Sequence, residues 1–250
     1  MYTNEFSFNI NNRNLSVIKE NFLSLKEEES SPINIKEYKI SIEETRSIMI
    51  SWLSFLCSKL NFSDQTLFRC ISIFDQYISK IPVEQTTKLD KDYLSLIAIA
   101  CLSLATKLEE INCNYVNFLN EKVLNSQNSK TYTNKDLTKM EFEILKVLKY
   151  KTIYSTPLDF IELYSEIFKS VLGNSSSGVN PQIIYQIKNY AISLVKNNIN
   201  NAIYLINSTS QLAYLCFIQA LNQANLLNLI NMKQFEKNFF SFNFQFSNVF

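Results

Sequence analysis

An all-α protein is what this chain predicts, and three observations carry the prediction. From Tyr93 to Thr106 the sequence is uncharged and mostly apolar, and it then closes on Lys107, Glu109 and Glu110. A helix that is apolar all round belongs in the middle of a packed helical domain. Glycine occurs only 2 times in 250 residues, at Gly173 and Gly178. Between Ile40 and Val171 the apolar residues recur at helical spacing. The Tyr93–Thr106 run is too short and too Ser-interrupted to span a bilayer, which needs about 20 apolar residues.

The first helix is expected from Ser41, with Glu44 three residues on as a capping box. Its apolar stripe reads Ile48, Trp52, Phe55 and Leu56. A second helix follows Ser63 as cap and carries Leu67, Cys70, Ile71, Phe74, Tyr77 and Ile78. The third is the apolar helix, Tyr93–Glu110. A short fourth is expected over Tyr115–Leu124. The fifth starts near Thr133, with Leu137, Met140, Ile144, Leu145 and Leu148 on one face. Pro157, at a favoured first helical position, opens a second group with the stripe Phe160, Ile161, Tyr164, Phe168. GNSSSGVN at Gly173–Asn180 reads as a loop. Pro181 restarts a helix through about Lys196, Ser208–Leu227 makes another, and a last one is expected near Met232. The end, FFSFNFQFSNVF, alternates Phe with polar residues as a strand would. The layout is two all-α units with a junction near Thr152–Pro157.

Composition narrows the function. Hydrophobic residues make up 46% of the chain, enough for a large core. With 24 basic and 23 acidic residues the net charge is +1. That balance makes no case for nucleic acid or a membrane surface and favours a protein partner or small ligand. The chain has 0 His, which removes the usual general base and metal ligand. Without Gly-rich turns no phosphate loop can be written. The usual His-based catalytic and metal sites, and a cofactor held by a phosphate loop, are therefore not expected. The 5 Cys (Cys57, Cys70, Cys101, Cys113, Cys216) are scattered without a C-x-x-C pair, as expected in a reducing compartment. The start, MYTNEFSFNI, lacks the basic-then-apolar pattern of a signal peptide.

Four segments then resemble a known family: TRSIMISWLSFL at Thr45–Leu56, ISIFDQYIS at Ile71–Ser79, LSLIAIACLSLATKLEEI at Leu94–Ile111, and MEFEILKVLKY at Met140–Tyr150. In order and spacing they resemble the cyclin box. Its signature positions fall on Arg46, Asp75, Leu96, Lys107 and Glu141. The apolar helix and TPLDFIELY look closer to D-type and mitotic cyclins than to transcriptional ones. The resemblance implies a cyclin fold with two repeats of about five helices each. It divides the chain into an N-terminal extension (1–40), an N-terminal cyclin box (41–152), a C-terminal cyclin-like repeat (153–238) and a Phe-rich tail (239–250). A place in the nucleus or cytoplasm is expected.

The resemblance also implies roles. Arg46 and Asp75 would be a structural ion pair between the first two helices. Lys107 and Glu141 would sit side by side and bond backbone groups of a cyclin-dependent kinase; Lys supplies donors and a carboxylate acceptors. Leu104, Leu108 and Leu145 match an apolar pocket for a kinase side chain. Glu109 and Glu110 could pair with kinase arginines or simply be solvated, with little energetic weight. Ile48, Met49, Trp52 and Leu94 match the patch that takes Arg-x-Leu substrate docking peptides. Phe55 stands where the family has its acid, Thr45 at its first apolar position and Ser95 at its usual Gln, so weakened or altered docking is expected. On this reading the chain is a non-catalytic activator of a cyclin-dependent kinase in the cell cycle. Two other readings stand beside it: a transcription-related or scaffold protein of the same fold, and an all-α enzyme using carboxylates such as Glu109 and Glu110.

Overall fold

The computed structural model describes residues 3–30, 40–81, 90–111, 132–173, 181–201, 204–205 and 207–225. Among the described residues there are eight helices and no strand. In chain order they are α1 (Thr3–Glu28), α2 (Ile40–Lys59), α3 (Asp64–Ser79), α4 (Lys91–Glu109), α5 (Asn134–Val147), α6 (Pro157–Gly173), α7 (Pro181–Asn198) and α8 (Thr209–Gln223). The helices expected over Tyr115–Leu124 and near Met232 lie outside the described residues. So do the loop after Gly173 and the tail 239–250. The chain divides into two compact units. One is Ser30–Thr156 with Asn198–Ser208; the other is Met1–Glu29, Pro157–Asn197 and Thr209–Phe250.

In the first unit α4 is the axis. Every residue from Leu94 to Thr106 is buried, and α2, α3 and α5 all pack on it. Local chemistry sets where these helices begin. Ser63 Oγ accepts the Thr66 N–H at 3.2 Å at the head of α3. Asp90 Oδ1 accepts the Tyr93 N–H at 2.7 Å at the head of α4. Thr133 and Asp136 close a capping box ahead of α5, with bonds of 3.2 and 3.0 Å. α2 is already helical at Ile40, so Ser41 stands inside its first turn, not ahead of it.

The stripe expected for α2 differs from its core face. Ile48 and Phe55 are 60% and 56% exposed, while Met49, Ile50, Leu53, Leu56 and Cys57 are buried. Positions 49, 53 and 56 line up on one side of the helix, and that is the side α3 and α4 cover. α2 is tied to α3 by a buried ion pair. Arg46 donates to both Asp75 oxygens, at 2.7 and 2.8 Å. Its third bond, 2.8 Å, goes to the Ile199 carbonyl, and the Tyr204 ring lies 5.6 Å from the guanidinium carbon. Arg46 thus draws the segment after α7 into the first unit.

In the second unit α1 and α8 both pack on α6. The sequence offers no helix before Ser41, yet α1 is 26 residues long. Phe22 is buried and meets Phe160 edge-on at 6.2 Å. Phe160, Tyr164, Phe168 and Phe217 continue that aromatic core. Just past α1, a Glu29 oxygen accepts the Ser210 N–H at 2.6 Å. It thereby satisfies one of the donors that the first turn of α8 leaves open.

Candidate functional site

The C-terminal end of α4 and the length of α5 come together in the first unit. Lys107 Nζ donates to both oxygens of Glu141, at 2.6 and 2.7 Å. The lysine side chain is 39% exposed and the glutamate 10%. Two donor hydrogens meet two oxygens, so the ammonium keeps one more hydrogen and the carboxylate keeps further lone pairs. The pair can therefore donate to and accept from an incoming backbone at one point. Tyr77 helps to hold α5 in place, since its hydroxyl donates to Glu143 at 2.9 Å. Burial, followed by that bond, pushes the Tyr77 phenol well above its ordinary range.

Apolar residues flank the pair along α4 and α5. Leu104, one turn before Lys107, is buried. Leu145, one turn beyond Glu141, is half-buried, and Leu108 is exposed. Ile111, Phe142, Tyr150 and Ile153, to which the motif match assigns no role, are all exposed. Their size and exposure are the signal that marks them; Phe142 follows Glu141 directly and Ile111 lies four positions past Lys107. Tyr150 is presented by the end of α5. Lys149 and Tyr150 both take left-handed backbone, φ 52° and 61°. The Tyr150 N–H bonds the Leu145 carbonyl at 2.7 Å, and the Lys149 N–H bonds that of Lys146 at 3.0 Å. This is the doubled closure that usually ends on glycine.

Glu109 and Glu110, matched to kinase-facing acids, are engaged within the chain. Glu109 accepts from Arg69 Nε at 2.6 Å. Glu110 Oε1 accepts the Ser63 N–H at 2.9 Å and the Thr66 hydroxyl. Burial alone would raise the Glu110 carboxyl. The bonds from Thr66 and Ser63 outweigh it and hold the group below the usual range. Arg46 and Asp75 form the buried structural pair already described.

The four residues matched to a docking patch differ in exposure. Met49 and Leu94 are buried, Trp52 is half-buried, and only Ile48 is exposed. The outer face of α2 instead carries Ile48, Trp52 and Phe55, with Lys59 Nζ 5.6 Å from the Phe55 ring centre. Among the described residues no three His, Cys, Asp or Glu gather as a metal site, and no helix is long and apolar enough to cross a membrane.

The model of the cyclin N-terminal domain matches residues 17–153, more than half of the chain. Cyclin-SDS of Arabidopsis thaliana is 29% identical over 154 residues, 61% of this chain and 23% of that protein. G2/mitotic-specific cyclin-2 of Saccharomyces cerevisiae is 29% identical over 126 residues, 50% of this chain and 23% of its own. Human G2/mitotic-specific cyclin-B2 is 31% identical over 121 residues, 48% and 28% respectively. The chain thus spans about a quarter of the length of these relatives. A viral cyclin from herpesvirus saimiri matches the fold with a TM-score of 0.55, at 18% identity, over 73% of this chain and 71% of its own.

Proposed function

Because this chain belongs to the cyclin family, we propose that it is a regulatory subunit that binds and activates a cyclin-dependent serine/threonine kinase in cell-cycle control. One observation carries the reading: the Lys107–Glu141 pair, closed at 2.6 Å, with an exposed apolar residue next to each member in the chain, Leu108 and Phe142. The pair engages a kinase backbone, and Leu108, Leu145 and Tyr150 receive an aliphatic side chain beside it. The chain performs no chemistry of its own. It binds the active kinase form better than the inactive one, and that difference in affinity shifts the kinase equilibrium. Inward packing of the kinase regulatory helix completes its Lys–Glu ion pair, a condition for phosphoryl transfer. The mitotic names of matched relatives support the cell-cycle setting, and the site of action is the nucleus or cytoplasm. Docking of substrate peptides along α2 is altered, since Phe55 replaces an acid.

The test is co-purification with cyclin-dependent kinases followed by a phosphorylation assay. Wild type is expected to bind and activate. Lys107→Ala combined with Glu141→Ala is expected to lose activation while its helical circular dichroism stays unchanged. Full activation by the double variant overturns the interface, and binding of wild type without activation favours a scaffold.

A further inference from the structure

Arg69 interrupts the apolar sequence of α3, and its side chain is buried. A guanidinium cannot lose its charge in a protein, so a buried one must be bonded. Arg69 is bonded on two sides. Its Nε donates to Glu109 at the end of α4, 40 positions later in the chain, at 2.6 Å. Its Nη1 donates to the Tyr154 carbonyl, 85 positions later. Its neighbours on α3 repeat the pattern. Ser63 and Thr66 hold Glu110 at the end of α4, and Gln65 accepts the Thr156 hydroxyl at 2.9 Å. The first turns of α3 therefore grip two separate stretches, 109–110 and 154–156. Just outside the grip lie the exposed apolar residues, Leu108 and Ile111 on one stretch, Tyr150 and Ile153 on the other.

We propose that Arg69 is a positioning residue for this face. It joins the end of α4 to the chain beyond α5, so that two halves of an apolar rim, far apart in sequence, are held in register before a partner arrives. Arg69 on Glu109, together with Ser63 and Thr66 on Glu110, also sets specificity. With Glu109 and Glu110 engaged internally, the face grips by its apolar rim and the Lys107–Glu141 pair, and a partner needs no arginine opposite the two acids. The identity of the partner rests on the kinase reading above; the positioning role does not.

The experiment follows amide hydrogen exchange in the full chain and, separately, kinase binding. Arg69→Met keeps the stem and removes the fork. It is expected to speed exchange about tenfold, the effect of losing one charged hydrogen bond, at 107–111 and 150–156. The core of α2 at Leu53–Cys57 should keep its protection. Arg69→Lys is expected to hold 107–111 through Glu109 and to release 150–156, because an ammonium lacks the second arm of the fork. Glu109→Gln, which spares the arginine, is expected to loosen 107–111 alone and keeps the test open if Arg69→Met fails to fold. Kinase affinity should fall about tenfold in Arg69→Met. Exchange unchanged at both stretches, or raised uniformly through the unit, overturns the positioning role. Local loosening with unchanged kinase affinity overturns its bearing on binding. Failure of wild type to bind any kinase removes the kinase reading, and the exchange results still decide on Arg69.

Discussion

Lys107 and Glu141, 34 positions apart in the chain, meet at 2.6 Å with the lysine partly in solvent and the carboxylate almost out of it. Such an asymmetric pair is a modest stabiliser, because the exposed partner is already well solvated. A double-mutant cycle with Lys107→Ala and Glu141→Ala is expected to give a coupling of roughly 0.5–1 kcal/mol in urea unfolding. A coupling of several kcal/mol would make the pair a structural element first.

Arg46 and Asp75 are the contrasting case, buried on both sides and joined by two bonds. Asp75→Ala leaves a buried guanidinium without its counter-ion and is expected to cost about 3–5 kcal/mol. Asp75→Asn keeps one acceptor and should cost less. Because Arg46 also holds the Ile199 carbonyl, faster hydrogen exchange should reach residues 199–201 in the Ala variant. Urea melts with exchange measured on the same samples check both.

Glu110 links stability to pH. Its carboxyl is held below the usual range in the folded chain, despite some burial, by Thr66 and Ser63. A depressed folded-state pKa stabilises above the unfolded-state pKa, and that contribution disappears as pH falls through the folded value. Wild type should therefore lose more stability than Glu110→Gln on acidification below the ordinary glutamate range. Melting temperatures of the two chains, followed from neutral to acid pH, should converge. Parallel curves would show that the carboxylate contributes nothing on folding.

What the sequence discloses and what it hides follow a physical division. Ser63, Thr133, Pro157 and Pro181 mark helix starts because caps and a fixed φ act over one turn. α4 is legible because burial on all sides leaves no polar face. α1 is not: its Asn-rich first half has little helix propensity, and Phe22 is ordered by Phe160, far along the chain. Met49 and Ile48 are neighbours in sequence but a third of a turn apart on the helix, so a motif match could not tell which one faces the core. Lys107 with Glu141 stands out only through family resemblance. Arg69 does not stand out in the sequence, since both of its partners are remote.

The turn after α5 carries the last prediction. Lys149 sits at φ 52° in the position where this helix closure favours glycine. An L-residue pays about 1–2 kcal/mol there. Glycine would relieve that strain but loses about 0.5–1 kcal/mol more to unfolded-chain freedom. The larger effect wins, so Lys149→Gly is expected to stabilise the chain by about 0.5–1 kcal/mol in urea melts. Tyr150, also left-handed at φ 61°, keeps its side chain on the rim in this variant. Kinase binding should therefore stay within about twofold of wild type. Lower stability would mean that the Lys149 side chain contributes more than its backbone costs. A large loss of binding with stability gained would place Lys149 itself on the partner face.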